Sequence, residues 1–250
     1  MHVFDRACNL IDERRDVLSV VTPQIGNGPF NLVIENDVLF SEHLDAQSPI
    51  SNRANQLNLG DLTINTDNAR LWSPRPDWEL LHAQRGDILN QLTTLPITDY
   101  RPLIPHSLTS NLSSALVAVD ITSAQTITTQ LAGLGAGLTP AGDDFILGAM
   151  LAVRIIHPPE IASALAKEIT NIAAPLTTSL SAAWLRSAGK GETGILWHQF
   201  FDALVTAAPA RIREAMDKLL AVGETSGADM MAGFTSTLKC WAGSASSKIT

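Results

Sequence analysis

Only two cysteines occur in the 250-residue chain, Cys8 and Cys240, near opposite ends and outside any Cys-x-x-Cys or Cys/His spacing. That scarcity excludes a disulfide-stapled scaffold and a structural zinc site. Positive charge is short as well: 17 Lys and Arg stand against 25 Asp and Glu, a formal net charge of −8. Bare nucleic-acid phosphate is therefore excluded as a partner. No long hydrophobic run is present, since the longest, Phe145 to Ile156, is interrupted by Arg154 and falls short of the roughly 20 residues that span a bilayer. The first twenty residues hold Asp5, Arg6, Asp12, Glu13, Arg14, Arg15 and Asp16, so they lack the apolar centre of an export signal. These absences predict a cytoplasmic protein that engages no membrane.

What is present is apolar: hydrophobic types make up 45% and charged types 17%, the reverse of a disordered composition. A chain of this length forms one or two domains with a core that needs no staple. Val17 to Thr22 and Phe30 to Glu35 are rich in β-branched residues and are separated by Gly26-Asn27-Gly28-Pro29, while Glu35-Asn36-Asp37 turns into Val38 to Phe40. Leu62 to Asn65 and Ala69 to Ser73, joined across Thr66-Asp67-Asn68, read as a further hairpin closed by Pro74 and Pro76.

From Pro76 onward the apolar period becomes helical. The spacing predicts helices over 77–92, 107–119, 122–132, 140–156, 159–173, 178–189, 193–206, 208–221 and 227–241. Pro102 to Val153 contains no Lys or Arg, which predicts that its helices pack centrally. The expected fold class is α+β: an antiparallel β-rich part over 1–105, a meander or small barrel, then a mainly α-helical domain over 106–250.

The densest run of special residues is Gly133-Leu134-Gly135-Ala136-Gly137-Leu138-Thr139-Pro140-Ala141-Gly142-Asp143-Asp144, a loop that delivers a helix. Thr139 as N-cap with Pro140 at the first helical position satisfies both capping preferences and leaves nearby amides pointing outward. Such amides bind anions, and the glycines let a ligand approach the backbone. The Walker pattern is excluded because no lysine follows. The dinucleotide pattern G-x-G-x-x-G fits poorly and no strand precedes it, so no cofactor is expected.

Gly223-Glu224-Thr225-Ser226-Gly227-Ala228-Asp229 echoes the same order, with Gly233 four residues after Asp229 as Gly148 is four after Asp144. Residues four apart share a helix face, so each copy sets a carboxylate one turn from a glycine. The expectation is that the two helices cross near Gly148 and Gly233 and bring Asp144 and Asp229 to one cleft. Asp143, Asp144 and Asp229 are the candidate catalytic residues. Candidate ligand-binding residues are Gly135, Gly137, Thr139 and Gly142 in the first loop, and Thr225, Ser226 and Gly227 in the second.

A plainer reading stands beside this one: the aspartates complement helix dipoles, and Ser226 with Asp229 forms a variant capping box. Thr178 and Ser179 either cap the helix that follows or line the cleft, and Arg186 or Lys190 assists from that helix. Gly26-Asn27-Gly28-Pro29 is either a turn or a loop over the site. Carboxylates beside an anion repel it, so the expected ligand has an anionic end for the amides and an N–H-rich carbamoyl or ureido end for the aspartates. No histidine stands at ligand spacing, so no metal is assigned, and metal-dependent hydrolysis ranks third.

These two segments resemble the signature of the oxamate carbamoyltransferase subunit family, the AllH-like proteins of anaerobic allantoin breakdown. Its members carry G-x-G-P-G-L-T-P-S-G-D-D, then a Thr-Thr-x-x-Ser segment with a following A-x-x-G, then G-H-T/S-S-G-x-D. Gly135 to Asp144, Thr177 to Gly189 and Gly223 to Asp229 match in that order, with departures at Ala136, Ala141 and Glu224. The resemblance spans roughly 125–240, whereas the N-terminal part is similar only in its β-rich character.

It implies a subunit of a carbamoyltransferase assembled with unlike subunits, one resembling acyl-CoA synthetases. It further implies a small carboxylate or ureido ligand with phosphate, and phosphate-dependent cleavage of a ureido acid to an amide and carbamoyl phosphate, or the reverse. The alternative is a non-catalytic anion-binding or scaffolding subunit that docks a partner protein.

Overall fold

A computed structural model describes residues 1–94 and 104–246. The chain divides into two units, Met1–Pro74 and Arg75–Thr250. The division falls ahead of residue 105 because Leu81, Ile88 and Leu92, which follow Pro76, pack into the helical core.

The first unit holds two small sheets. Strands β1 (His2–Val3), β2 (Ala7–Ile11), β3 (Val17–Val21) and β4 (Asn31–Val33) form one sheet in the order β1-β2-β3-β4. Helix α1 (Phe40–His43) follows, then β5 (Ile50–Arg53), β6 (Gln56–Leu59) and β7 (Leu62–Asn65) in the order β5-β6-β7. The β2–β3 turn is set by Asp12, whose carboxylate accepts from the Arg14 and Asp16 amides at 2.9 and 2.7 Å, with Arg15 at φ +65°. Cys8, Val20, Phe40, Leu44 and Leu59 form its core.

The expected β-rich character holds, with three differences in the wiring. β4 runs parallel to β3, pairing Ser19 with Asn31 and Val21 with Val33, whereas the other pairings are antiparallel. The chain turns away after β3, where the Ile25 and Gly26 amides donate to Thr22 O, and Asn31 Nδ2 ties the returning segment to Gly26 O at 2.9 Å. Gly26-Asn27-Gly28-Pro29 thus belongs to this connection. Phe40 opens a short helix instead of ending a strand, because its amide donates to Asp5 O and Ser41 Oγ donates to the Asp5 carboxylate at 2.6 Å. β7 pairs with β6, and Ala69 to Ser73 forms no strand; the Thr66 amide donates to Asn55 O and Asn55 Nδ2 donates to Asp67, so the segment is tied to the β5–β6 turn.

The second unit is helical: α2 (Trp78–Ala83), α3 (Arg85–Thr94), α4 (His106–Ala118), α5 (Ile121–Leu131), α6 (Ala141–Ile156), α7 (Pro159–Ala173), α8 (Ser179–Gly189), α9 (Ile195–Val205), α10 (Pro209–Leu220) and α11 (Ser226–Ser246). The predicted helices match these closely, except that 77–92 divides at Gln84 into α2 and α3. Every residue of α6 from Gly142 to Ile156 is buried, so α6 is the axis around which the other helices pack. Its low charge is the sequence cause. The one charged residue after its first turn, Arg154, is buried with Nη2 2.6 Å from Gly189 O and its guanidinium 5.9 Å from the Trp78 ring. That cation sits on the carbonyl end of α8, where the helix dipole favours it. Trp78, Trp197, Phe200, Phe201 and Phe234 form an aromatic cluster with neighbouring ring centres 5.3–6.2 Å apart. Among the described residues no helix is long and apolar enough to cross a membrane.

Candidate functional site

The expected crossing is present. A Cβ added to Gly148 would lie 1.8 Å from Met230 O, and one added to Gly233 would lie 2.0 Å from Phe145 O, so only glycine permits this approach of α6 and α11. The contacts are reciprocal. Each glycine meets the carbonyl of the residue that follows the other helix's aspartate. A second pair obeys the same rule: Gly142 faces Leu131 O at the end of α5, and Gly227 faces Leu219 O at the end of α10, at 2.0 and 1.8 Å from the would-be Cβ. Both copies therefore combine one glycine against the preceding helix with one against the opposite copy. The mid-helix glycine cost of about 1 kcal/mol each is offset by this close packing.

The crossing brings the two helix starts together. Thr139 Oγ1 and Ser226 Oγ lie 2.8 Å apart, and the charge of Asp229 acts on Asp144. Asp143, Asp144 and Asp229 are 1%, 5% and 0% exposed. All three stand in the first turns, where the positive helix ends favour negative charge.

Their bonding differs. Asp143 Oδ1 accepts from the Gly133 amide at 2.8 Å, while Oδ2 accepts from Ser181 Oγ at 2.7 Å and from Thr177 Oγ1. Burial pushes Asp143 above the ordinary carboxylate range, and these three donors oppose the rise. Asp144 is pushed up to about 8, chiefly by burial and further by the charges of Asp229 and Asp143, against a hydrogen bond from Ser226. Its Oδ2 is buried and has no hydrogen-bond partner among the described residues.

Above the carboxylates lies the loop. Leu134 to Gly137 are exposed, and Gly133, Gly135 and Gly137 take φ of +73°, +128° and +86°, which glycine alone adopts without strain. Among the described residues the amides of Gly135, Ala136, Gly137, Leu138 and Thr139 make no hydrogen bond. Successive free amides in such a turn form an anion-binding concavity.

Thr139 is not the N-cap. The helix starts at Ala141, Pro140 occupies the cap position at ψ +143° without a side-chain bond, and its carbonyl accepts from the Asp143 and Asp144 amides. The Thr139 hydroxyl is turned to Ser226 instead. The amides of Gly142, Asp143 and Asp144 are likewise bonded, Gly142 donating to Leu134 O at 2.8 Å.

Thr178 caps α8, accepting from the Ser181 amide at 3.1 Å, and its hydroxyl donates to Leu138 O at 2.5 Å, tying the cap to the loop. Ser179 opens α8, half-buried. Thr225 is half-buried and its carbonyl accepts from the Asp229 amide. Arg186 lies on α8 about 10 Å along the axis from Ser179, and its side chain makes no hydrogen bond or ion pair with the loop among the described residues. Among those residues no group of three or more His, Cys, Asp and Glu is placed to hold a metal ion. Ser181 is the participant that sequence spacing did not single out by itself; its place in the first turn of α8, one turn after Thr177 and as the last residue of the Thr-Thr-x-x-Ser segment, was the available signal.

A family model described as oxamate carbamoyltransferase subunit AllH matches residues 131–238, which contain both glycine–aspartate copies, the loop and α8. A model described as the AllH family N-terminal domain matches residues 2–71, the two-sheet unit. No solved structure matches the chain. The two family matches take in most of the sequence and meet the site and both structural units, so this chain belongs to the AllH family of oxamate carbamoyltransferase subunits.

Proposed function

We propose that this chain is a cytoplasmic subunit of an oxamate carbamoyltransferase-like enzyme of allantoin nitrogen breakdown, and that it binds a small carboxylate, ureido acid or carbamoyl phosphate at the loop over α6 and α11. The observation that carries the reading is the convergence of the two helix starts beneath a run of unbonded amides. Amides at Gly135 to Thr139 would take the anionic end of the ligand and stabilise developing oxyanion charge. Asp143 shapes the loop through Gly133, Thr177 and Ser181, which makes it a positioning residue. Thr139 presents its hydroxyl to the ligand with Ser226 behind it, and Asp144 and Asp229 set the electrostatics beneath. The partner subunits, one of them of acyl-CoA synthetase type, complete the enzyme.

Isothermal titration with oxamate, oxalurate, phosphate and carbamoyl phosphate, with the chain alone and with its partners, tests this. Heat with at least one of them is expected; none with any of them rejects it.

A second reading has its own observation. Leu134 and Leu176, 37% and 48% exposed, flank Gly133, an apolar edge suited to a docked protein. In that case the chain shapes a partner's active site and turns nothing over. Alanine at Asp143, Asp144 and Asp229 separates the two: retained assembly with lost turnover supports chemistry here, and lost assembly supports docking.

A further inference from the structure

Asp143 and Asp144 are adjacent in sequence and unlike in bonding. Asp143 uses both oxygens on donors that hold the fold. Asp144 is 5% exposed, receives a hydrogen bond from Ser226, and leaves Oδ2 unbonded. An unsatisfied buried carboxyl oxygen costs stability, so a purely structural aspartate would be expected to resemble its neighbour. Ser226 Oγ in turn stands 2.8 Å from Thr139 Oγ1, and either hydroxyl can donate. Thr139 is half-buried at the end of the exposed loop. A continuous chain of exchangeable protons thus runs from the interior to the place where the free amides lie.

We propose that Thr139 and Ser226 form a two-hydroxyl relay that exchanges a proton between the buried Asp144 carboxyl and a ligand held at the Gly133–Thr139 loop. This rests on the loop being the ligand site. In carbamoyl transfer from carbamoyl phosphate to an amide, a C–N bond forms, the C–O bond to phosphate breaks, and phosphate leaves with the electron pair. The attacking nitrogen must lose a proton. That proton passes to Thr139 Oγ1 as Thr139 gives its own to Ser226 and Ser226 gives its own to the Asp144 carboxylate, so each hydroxyl gains one and loses one. In the reverse direction the Asp144 proton travels outward to the departing nitrogen.

A reservoir that titrates near neutrality serves both directions. The groups that set it there are the apolar burial on α6, Asp229 facing it from α11, Asp143 beside it, and the Ser226 hydroxyl. Thr139 is the relay member that touches the ligand; Ser226 and Asp144 act through it.

The test uses the full chain assembled with its partner subunits, in wild-type, Thr139→Val, Thr139→Ser and Ser226→Ala forms. Binding of oxamate and carbamoyl phosphate is measured by calorimetry, and kcat and KM are followed from about pH 6 to pH 10. Ser226→Ala is expected to keep ligand affinity while kcat falls roughly 10²-fold or more and the inflexion near 8 disappears, and Thr139→Val, which also removes a hydroxyl at the ligand, is expected to show the same loss of kcat and inflexion together with weaker binding. Thr139→Ser is expected to recover most of that loss. A proton inventory on the wild-type enzyme requires no substitution, and curvature from more than one proton in flight is expected.

Wild-type kcat and inflexion in Ser226→Ala, or a linear proton inventory, overturns the relay while leaving ligand binding at the loop intact. A wild-type assembly that binds none of the ligands overturns the loop reading and the relay with it.

Discussion

The first turns of α6 and α11 share Gly142 and Gly227, Asp144 and Asp229, and Gly148 and Gly233 in the same order and spacing, but α6 adds Asp143 where α11 has Ala228. The shared part builds the crossing, since each of its glycines meets a carbonyl of another helix. The added aspartate builds the loop, gathering Gly133, Thr177 and Ser181 around one carboxylate. One segment of α6 therefore does two jobs, and α11 serves as an internal control that does the first alone.

The strongest way to break that comparison is at the crossing. Gly148→Ala and Gly233→Ala each force a Cβ into backbone that cannot yield, and each is expected to destabilise the chain by at least about 4 kcal/mol, beyond ordinary overpacking. Because both disturb one contact, the double variant should cost less than the sum. Gly243→Ala, in the same α11 but facing open space, should instead stabilise by up to about 1 kcal/mol. Urea unfolding of the set reads all four values. Equal effects at Gly243 and Gly233 would mean that helix propensity, not close approach, selected the glycines.

The two aspartates of α6 should separate next. Asp143→Ala strands three donors and is expected to cost roughly 3 kcal/mol. Asp144→Asn should have the opposite sign at alkaline pH. Asp144 holds its proton in the folded chain up to about 8, against an ordinary value of 3.8, so between those limits the unfolded state is the more ionised. Its contribution is fully present below the lower value and is lost as pH rises through the upper one, by as much as about 6 kcal/mol at about 1.4 kcal/mol per unit. Unfolding free energies of the wild type at pH 5 and pH 8.5 should therefore differ more than those of Asp144→Asn. The same slope in both would show that Asp144 titrates normally in the fold.

Much of this comparison was legible beforehand. Helical periodicity located the elements from α4 to α11 to within a few residues at most ends, α11 running on to Ser246, and the paired glycines foretold the crossing because a glycine inside a helix requires a reason of packing. What escaped was decided by partners remote in sequence. Thr139 reads as an N-cap by every local rule, yet Pro140 takes that position and the hydroxyl goes to Ser226, a residue brought near only by the crossing. β4 reads as the return strand of a hairpin, but backbone bonds at Thr22 and the Asn31 side chain send the chain round to pair in parallel. Asp143 reads as a dipole partner of its own helix, and its donors came from two other segments. Periodicity reports which face of a helix is buried; it carries no information on which distant hydroxyl will be turned toward it.

The smallest effect tests how the loop of α6 is held from outside, a support with no counterpart at α11 among the described residues. Thr178 caps α8 through the Ser181 amide and donates to Leu138 O, so one hydroxyl serves a helix end and the loop together. Thr178→Ser keeps both bonds and should be nearly neutral. Thr178→Val loses both, and a cap alone is worth about 1 kcal/mol, with a further loss of similar size if the Leu138 carbonyl is left unpaired. The two contributions can be separated by where they act. Loss of the cap frays the first turn of α8, whereas loss of the loop bond frees Leu138 and the amides beside it. Amide hydrogen exchange should therefore accelerate at Ser181 and Ala182 in Thr178→Val, and affinity for carbamoyl phosphate at the loop should fall with it. Faster exchange in α8 with unchanged affinity would show that the loop keeps its shape through Asp143 alone.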